Sequence, residues 1–297
     1  MQRRYFTLDV FTMQRFAGNP LAVVLDSDGL EGGAMQAIAR EFNLPETVFV
    51  FPPNEGRQRA RLRIFTPARE LPFAGHPTVG TAVLLAHLDG GSAARKIVLA
   101  EQVGPVACQV APGHQGGRAS FGIPKRPEKI GPVRDAVKLA AALSLKASDL
   151  GCETFVAENW TAGNPFAFVP VRGLDAIARA RPDMSRWSDA FGAGDPPGAF
   201  LFCRDVVDRS HAFHARMFAP AMGIVEDPAT GSAVAAFAGP LAASGVGDGR
   251  HDFAIEQGYE MGRPSLLHLS REIRAGTLDS ATVGGDAVIV SEGRIEA

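Results

Sequence analysis

At 297 residues the chain exceeds the ~100–200 residues typical of one domain, so two domains of roughly half its length are expected. Its 46% hydrophobic and 21% charged residues are those of a folded globular protein and exclude the disordered and fibrous classes. With 30 Lys and Arg against 32 Asp and Glu, a net charge of −2, there is no basic footprint for nucleic acid or an anionic membrane, and small-molecule chemistry fits better.

From the amino terminus, RYFTLDVF (4–11) alternates polar and apolar residues, which predicts a first strand and lacks the apolar core of an export signal. PLAVVLD (20–26), RLRIF (61–65) and, much later, HAFHARMF (211–218) also read as strands half exposed to solvent. GAMQAIAREF (33–42) has the spacing of a surface helix. VGTAVLLAHL (79–88) and GSAVAAFAGPLA (231–242) carry no formal charge and are small or apolar on nearly every side, which predicts two buried helices. The second of these lies in the most apolar stretch, Ser232 to Ala243, which falls well short of the ~20 residues needed to cross a bilayer. Cys108, Cys152 and Cys203 are odd in number and widely spaced, arguing against disulfides or a zinc site and for buried thiols of the cytoplasm.

Four segments recur in order, and this self-similarity is the most informative feature of the chain. FAGNPLAVV (16–24) returns as TAGNPFAFV (161–169), with Gly163 standing 145 positions after Gly18. RIFTP (63–67) returns as RMFAP (216–220), HPTVGTA (76–82) as DPATGSA (227–233), and AEQVGPV (100–106) as IEQGYEM (255–261), at offsets of 153, 151 and 155. An internal duplication is therefore expected: an α+β fold of two similar lobes, each a curled, mostly antiparallel sheet around a central apolar helix. The boundary falls in IPKRPEKIGP (123–132), giving an N-terminal lobe over 1–126 and a C-terminal lobe over 127–297, with the last strand free to return to the N-terminal lobe.

The third repeat sets His76 opposite Asp227 and Gly80 opposite Gly231, at the expected starts of the two buried helices. Free N–H groups and the positive dipole end make a helix start an anion site, proline suits its first turn, and glycine lets backbone approach a ligand. Two such starts facing one cleft would cradle a carboxylate. Taken singly, Asp227 and Thr78 also suit helix caps, and His76 a core histidine. Glu46 lies just before the apolar run Val48–Phe51, where burial would raise its pKa toward neutrality and suit it to take and return a proton.

NLPETVFVF (43–51), RIFTPARELPFAGHPTVGTA (63–82), MFAPAMGIVEDPATGSAVAAFAGPLA (217–242), the amino-terminal DVFTMQRFAGNPLAVVLD (9–26) and the late EQGYEMGRPS (256–265) together resemble the PhzF-like phenazine-biosynthesis isomerase family. The resemblance implies a diaminopimelate epimerase-like fold and a homodimer working without cofactor or metal on a small acidic substrate. It also implies Glu46 as the proton-shuttling acid/base, His76 and Asp227 as substrate-orienting groups, and Gly75, Gly231 and Ser232 as carboxylate binders. For the family's best-known member the reaction is isomerisation of trans-2,3-dihydro-3-hydroxyanthranilate, a proton leaving C3 as another arrives at C1. The two facing cysteines of the related epimerases are missing here, and Pro45 stands where many relatives have serine. An epimerase of another amino or hydroxy acid and a non-catalytic metabolite-binding or interaction protein are the alternatives.

Overall fold

Runs of alternating or wholly apolar residues bounded by Gly, Pro and Asn make strands, and the two uncharged segments make helices that the strands surround. The computed structural model describes residues 1–133, 135–192, 194–245 and 247–297. They fall into two compact units: Met1–Gly122 with Val283–Ala297, and Ile123–Thr282. The break at Gly122/Ile123 compares with the expected 126/127.

The first unit begins with β1 (Gln2–Val10), β2 (Asn19–Val24), α1 (Gly32–Phe42), β3 (Glu46–Phe51), β4 (Ala60–Phe65) and β5 (Glu70–Leu71). It continues with α2 (Gly75–Leu88), β6 (Arg95–Glu101), β7 (Gly104–Gly113) and β8 (Gly116–Gly122). β2 runs parallel to β3 and β4 parallel to β6, while β1–β2, β3–β4, β6–β7 and β7–β8 are antiparallel. The chain's last strand, from Val283 onward, pairs with β8 and lies antiparallel to β1, Gln2 opposite Glu296. These pairings close into a ring, so no strand of the ring has a bare edge. α2 packs against β1, β2, β3, β6, β7 and β8, buried from Gly75 to Ala86. The turn into β2 requires Gly18: its φ is +62° and a Cβ there would lie 2.4 Å from the Val10 carbonyl.

In the second unit come β9 (Glu128–Pro132), α3 (Ala136–Ala142), β10 (Glu158–Thr161), β11 (Pro165–Pro170), α4 (Leu174–Arg179) and α5 (Trp187–Ala190). Then follow β12 (Ala199–Cys203), β13 (Phe213–Ala219), β14 (Ile224–Asp227), α6 (Gly231–Ala243), β15 (Gly249–Gln257), β16 (Ser265–Arg274) and β17 (Thr277–Glu296). β10–β11, β12–β13 and β15–β16 are antiparallel, and β11–β12 and β13–β15 parallel. This is the order of pairings found from β1 to β7. Phe237 of α6 lies among Phe168, Phe200, Phe202 and Phe213, with centroids 4.6 to 5.7 Å away, fixing the helix in its core.

Two of the strands expected to be half exposed are buried. β13 is buried at every residue and β2 at all but Pro20, because each sheet is covered on both faces. α1 lays Met35 and Ala39 over Val24, Phe49 and Phe65. Over β12 and β13 lies a second layer that includes Leu139, Ile177 and Trp187 from the small helices. The outward Arg216 of β13 spends its guanidinium there, donating to the carbonyls of Ile177, Ala178 and Ala180 and to both carboxylate oxygens of Glu226.

Candidate active site

In the first unit Glu46 opens β3, held by parallel pairing opposite Leu21 of β2, and is 9% exposed. α2 starts at Gly75 after an extended Ala74, which puts His76 in its first turn, 4% exposed. The fold brings these residues together: Nε2 of His76 lies 3.3 Å from Oε2 of Glu46. Burial pushes the imidazole down to about 3, so it is neutral, although a hydrogen bond to the Pro20 carbonyl works the other way. Nε2 has no hydrogen-bond partner, so the other ring nitrogen carries the proton given to Pro20, and Nε2 presents a bare lone pair beside the carboxyl. A core histidine with all its bonds made would not do this. The main-chain N–H groups of Gly75 and His76 belong to the turn that has no intrahelical acceptors.

In the second unit Asp227 ends β14 and α6 begins at Gly231, with Ser232 next and partly exposed. The expected equivalence of the two helix starts is only approximate. Pro77 is the third residue of α2, whereas Pro228 precedes α6, with Ala229 and Thr230 between. The reason is Gln257 at the end of β15. Its Oε1 accepts from the Thr230 N–H at 3.0 Å, while its Nε2 donates to the Asp227 carbonyl at 2.7 Å and to the Thr230 hydroxyl at 3.0 Å. That hydroxyl donates to the Asp227 carboxylate at 2.5 Å, which clamps Asp227 in place, and the N-cap position of α6 itself falls to Thr230. Close approach of the chain here needs Gly258, whose φ is +78° and where a Cβ would lie 2.6 Å from the Pro228 carbonyl. Thr230 and Gln257 were not singled out from the sequence; the Glu-Gln pair shared by the fourth repeat was the available signal.

A buried carboxyl against a neutral imidazole at a helix start, whose first N–H groups have no intrahelical acceptors, can move a proton and hold an anion. The profile of the family described as phenazine biosynthesis-like protein (PhzC-PhzF) matches residues 8–293. The chain belongs to this family.

It is accordingly an isomerase. An uncharacterized isomerase of Mesorhizobium japonicum is 46% identical over 99% of this chain and 98% of its own length. The trans-2,3-dihydro-3-hydroxyanthranilate isomerase of Pseudomonas fluorescens is 37% identical over 98% of each. A PhzF family protein of Bacillus anthracis superposes with a TM-score of 0.90 over the whole of both chains at 25% identity. A hydroxyproline epimerase of Agrobacterium vitis shares the fold, with a TM-score of 0.65 over 99% of this chain and 92% of its own, at 10% identity. This PhzF-family chain has no thiol at either helix start. Its three cysteines are buried, and burial pushes the Cys108 and Cys203 thiols up to about 12, out of reach as thiolate bases.

Proposed function

We propose that the chain is a cofactor-independent isomerase of a small carboxylate-bearing metabolite of the trans-2,3-dihydro-3-hydroxyanthranilate type, with Glu46 as its acid/base. The approach of the Glu46 carboxyl to the bare Nε2 of His76 carries this reading. As a carboxylate Glu46 takes a proton from one carbon; the resulting acid can then donate to the Nε2 lone pair of the neutral imidazole, which adds no charge, and Glu46 returns the proton to another carbon nearby. A single group in a site closed to water can do both, and general acid–base catalysis of this kind is worth ~100- to 10,000-fold. His76 and Asp227 orient the substrate, while Gly75, Gly231 and the Ser232 N–H and hydroxyl bind its carboxylate; the buried, clamped Asp227 and the position of the other residues at helix starts support these roles. We also propose that the chain is an internal duplication, supported by the four repeats and the matching order of strand pairings, and that it works as a homodimer in the cytoplasm. The homodimer rests on the family resemblance; three buried free thiols suit a reducing compartment.

Incubation in deuterated water with trans-2,3-dihydro-3-hydroxyanthranilate and a panel of unsaturated and amino acids tests the reading. Wild type should form isomer and place label at carbon, and Glu46→Gln should lose at least 100-fold in kcat. Equal turnover by both proteins would remove Glu46 from the chemistry, and binding without turnover across the panel would overturn the substrate class.

A further inference from the structure

Glu101, the last residue of β6, is a buried carboxyl that the chemistry above does not use. Its Oε1 lies 2.7 Å from the hydroxyl of Thr78, which is itself 2.8 Å from the carbonyl of Ala74. Thr78 stands two residues after His76, and Ala74 is the residue from which α2 starts. A hydroxyl has one hydrogen to give and a carbonyl only accepts, so both contacts are satisfied together only when the carboxyl brings its own proton. The other oxygen, Oε2, is buried with no hydrogen-bond partner, a setting that tolerates an acid and penalises a carboxylate.

Glu256, its counterpart in the fourth repeat, is solvated in the opposite way. It accepts from the N–H groups of Val207 and Asp208 and lies 2.8 Å from a ring nitrogen of both His211 and His214, and these donors hold it below the usual carboxylate range. The same Glu-Gln sequence thus gives a charged residue in one unit and a neutral one in the other.

We propose that Glu101, in its protonated form, is a positioning residue for the isomerase site: it donates to the Thr78 hydroxyl, which donates to the Ala74 carbonyl, and so fixes the turn bearing Gly75 and His76. The inference rests on the assignment of His76 and Gly75 to the site. Burial raises the carboxyl to about 8, against which the Thr78 hydrogen bond works only partly. The ionisable group that faces it is Cys108 of β7, whose thiol stays neutral at about 12, and α2 presents Thr78. Above pH 8 the ionised carboxylate accepts the hydrogen bond of the Thr78 hydroxyl, and the bond from that hydroxyl to the Ala74 carbonyl is lost.

The test follows the ring nitrogens of His76 by NMR in 15N-histidine-labelled, ligand-free protein between pH 6 and 9.5, the signals assigned with His76→Asn. His76 itself does not titrate in that range. In wild type its signals should move with a midpoint near 8, and in Glu101→Gln, whose amide donates to Thr78 at every pH, they should stay flat. No movement in wild type, or the same movement in the variant, overturns the proposal. With trans-2,3-dihydro-3-hydroxyanthranilate, kcat of wild type should fall about tenfold from pH 7.5 to 9 with KM within twofold, and Glu101→Gln should lack that alkaline limb. If no variant turns this compound over, the substrate assignment fails and the NMR titration alone decides on Glu101.

Discussion

His76 ties the candidate site to stability through one proton. Folded, it is held at about 3 by burial; unfolded, it titrates near 6.5. Between those values the unfolded chain binds a proton that the folded chain refuses, so stability that is complete above 6.5 is lost as pH falls toward 3. By pH 5 the loss is about 2 kcal/mol at ~1.4 kcal/mol per unit. Urea unfolding at pH 7 and pH 5 should therefore show wild type losing more stability on acidification than His76→Gln; equal losses would mean the ring is not desolvated. His76 and Asp227 stood out in the sequence because chemistry-bearing residues beside proline and glycine, repeated at one offset, invite a functional reading, whereas Glu46 lies outside the repeats and was nominated by the family resemblance more than by its place before an apolar run. Thr230, Gln257 and Glu101 were not legible there. Their importance lies in which partner each meets across strands far apart in the chain, and a hydroxyl or amide carries no mark of that in its local pattern.

At the scale of elements, the uncharged segments identified themselves as buried helices because a helix without a polar face has nowhere to sit but a core. The strands' alternation was a weaker guide: it suggested exposed outer faces for β2 and β13, and α1 and the small helices of the second unit cover them. α6 contains Gly239-Pro240 well inside its span, where both residues are usually costly. The glycine is demanded by packing. A Cβ at Gly239 would lie 2.4 and 2.6 Å from ring carbons of Trp160 and 2.9 Å from Cβ of Pro127. Mid-helix Gly→Ala ordinarily stabilises by about 1 kcal/mol, so the sign of the effect is diagnostic. Gly239→Ala should lower the melting temperature by several degrees, in line with an overpacking cost of ~1–3 kcal/mol; a higher melting temperature would refute the contact.

For the whole molecule, composition pointed to a folded protein and away from a nucleic-acid surface, and no described helix is long and apolar enough to cross a membrane. The proposed homodimer predicts a mass by light scattering of twice the 31.4 kDa chain, and a single-chain mass at micromolar concentration would exclude it. What local sequence could only leave open was where the last strand goes, since a strand's partner is set by its register and not by its own residues. Residues 287–296 pair with 2–10, and the Ala297 N–H donates to the Met1 carbonyl. Synthesis runs the other way. When Gly122 leaves the ribosome, β1 has only β2 beside it and β8 only β7, and the ring around α2 stays open while the whole of Ile123–Thr282 is made. The unit translated first is thus the one completed last, and until its closing strand emerges the nascent chain carries two unpaired edges, the state in which strands most readily join those of another chain.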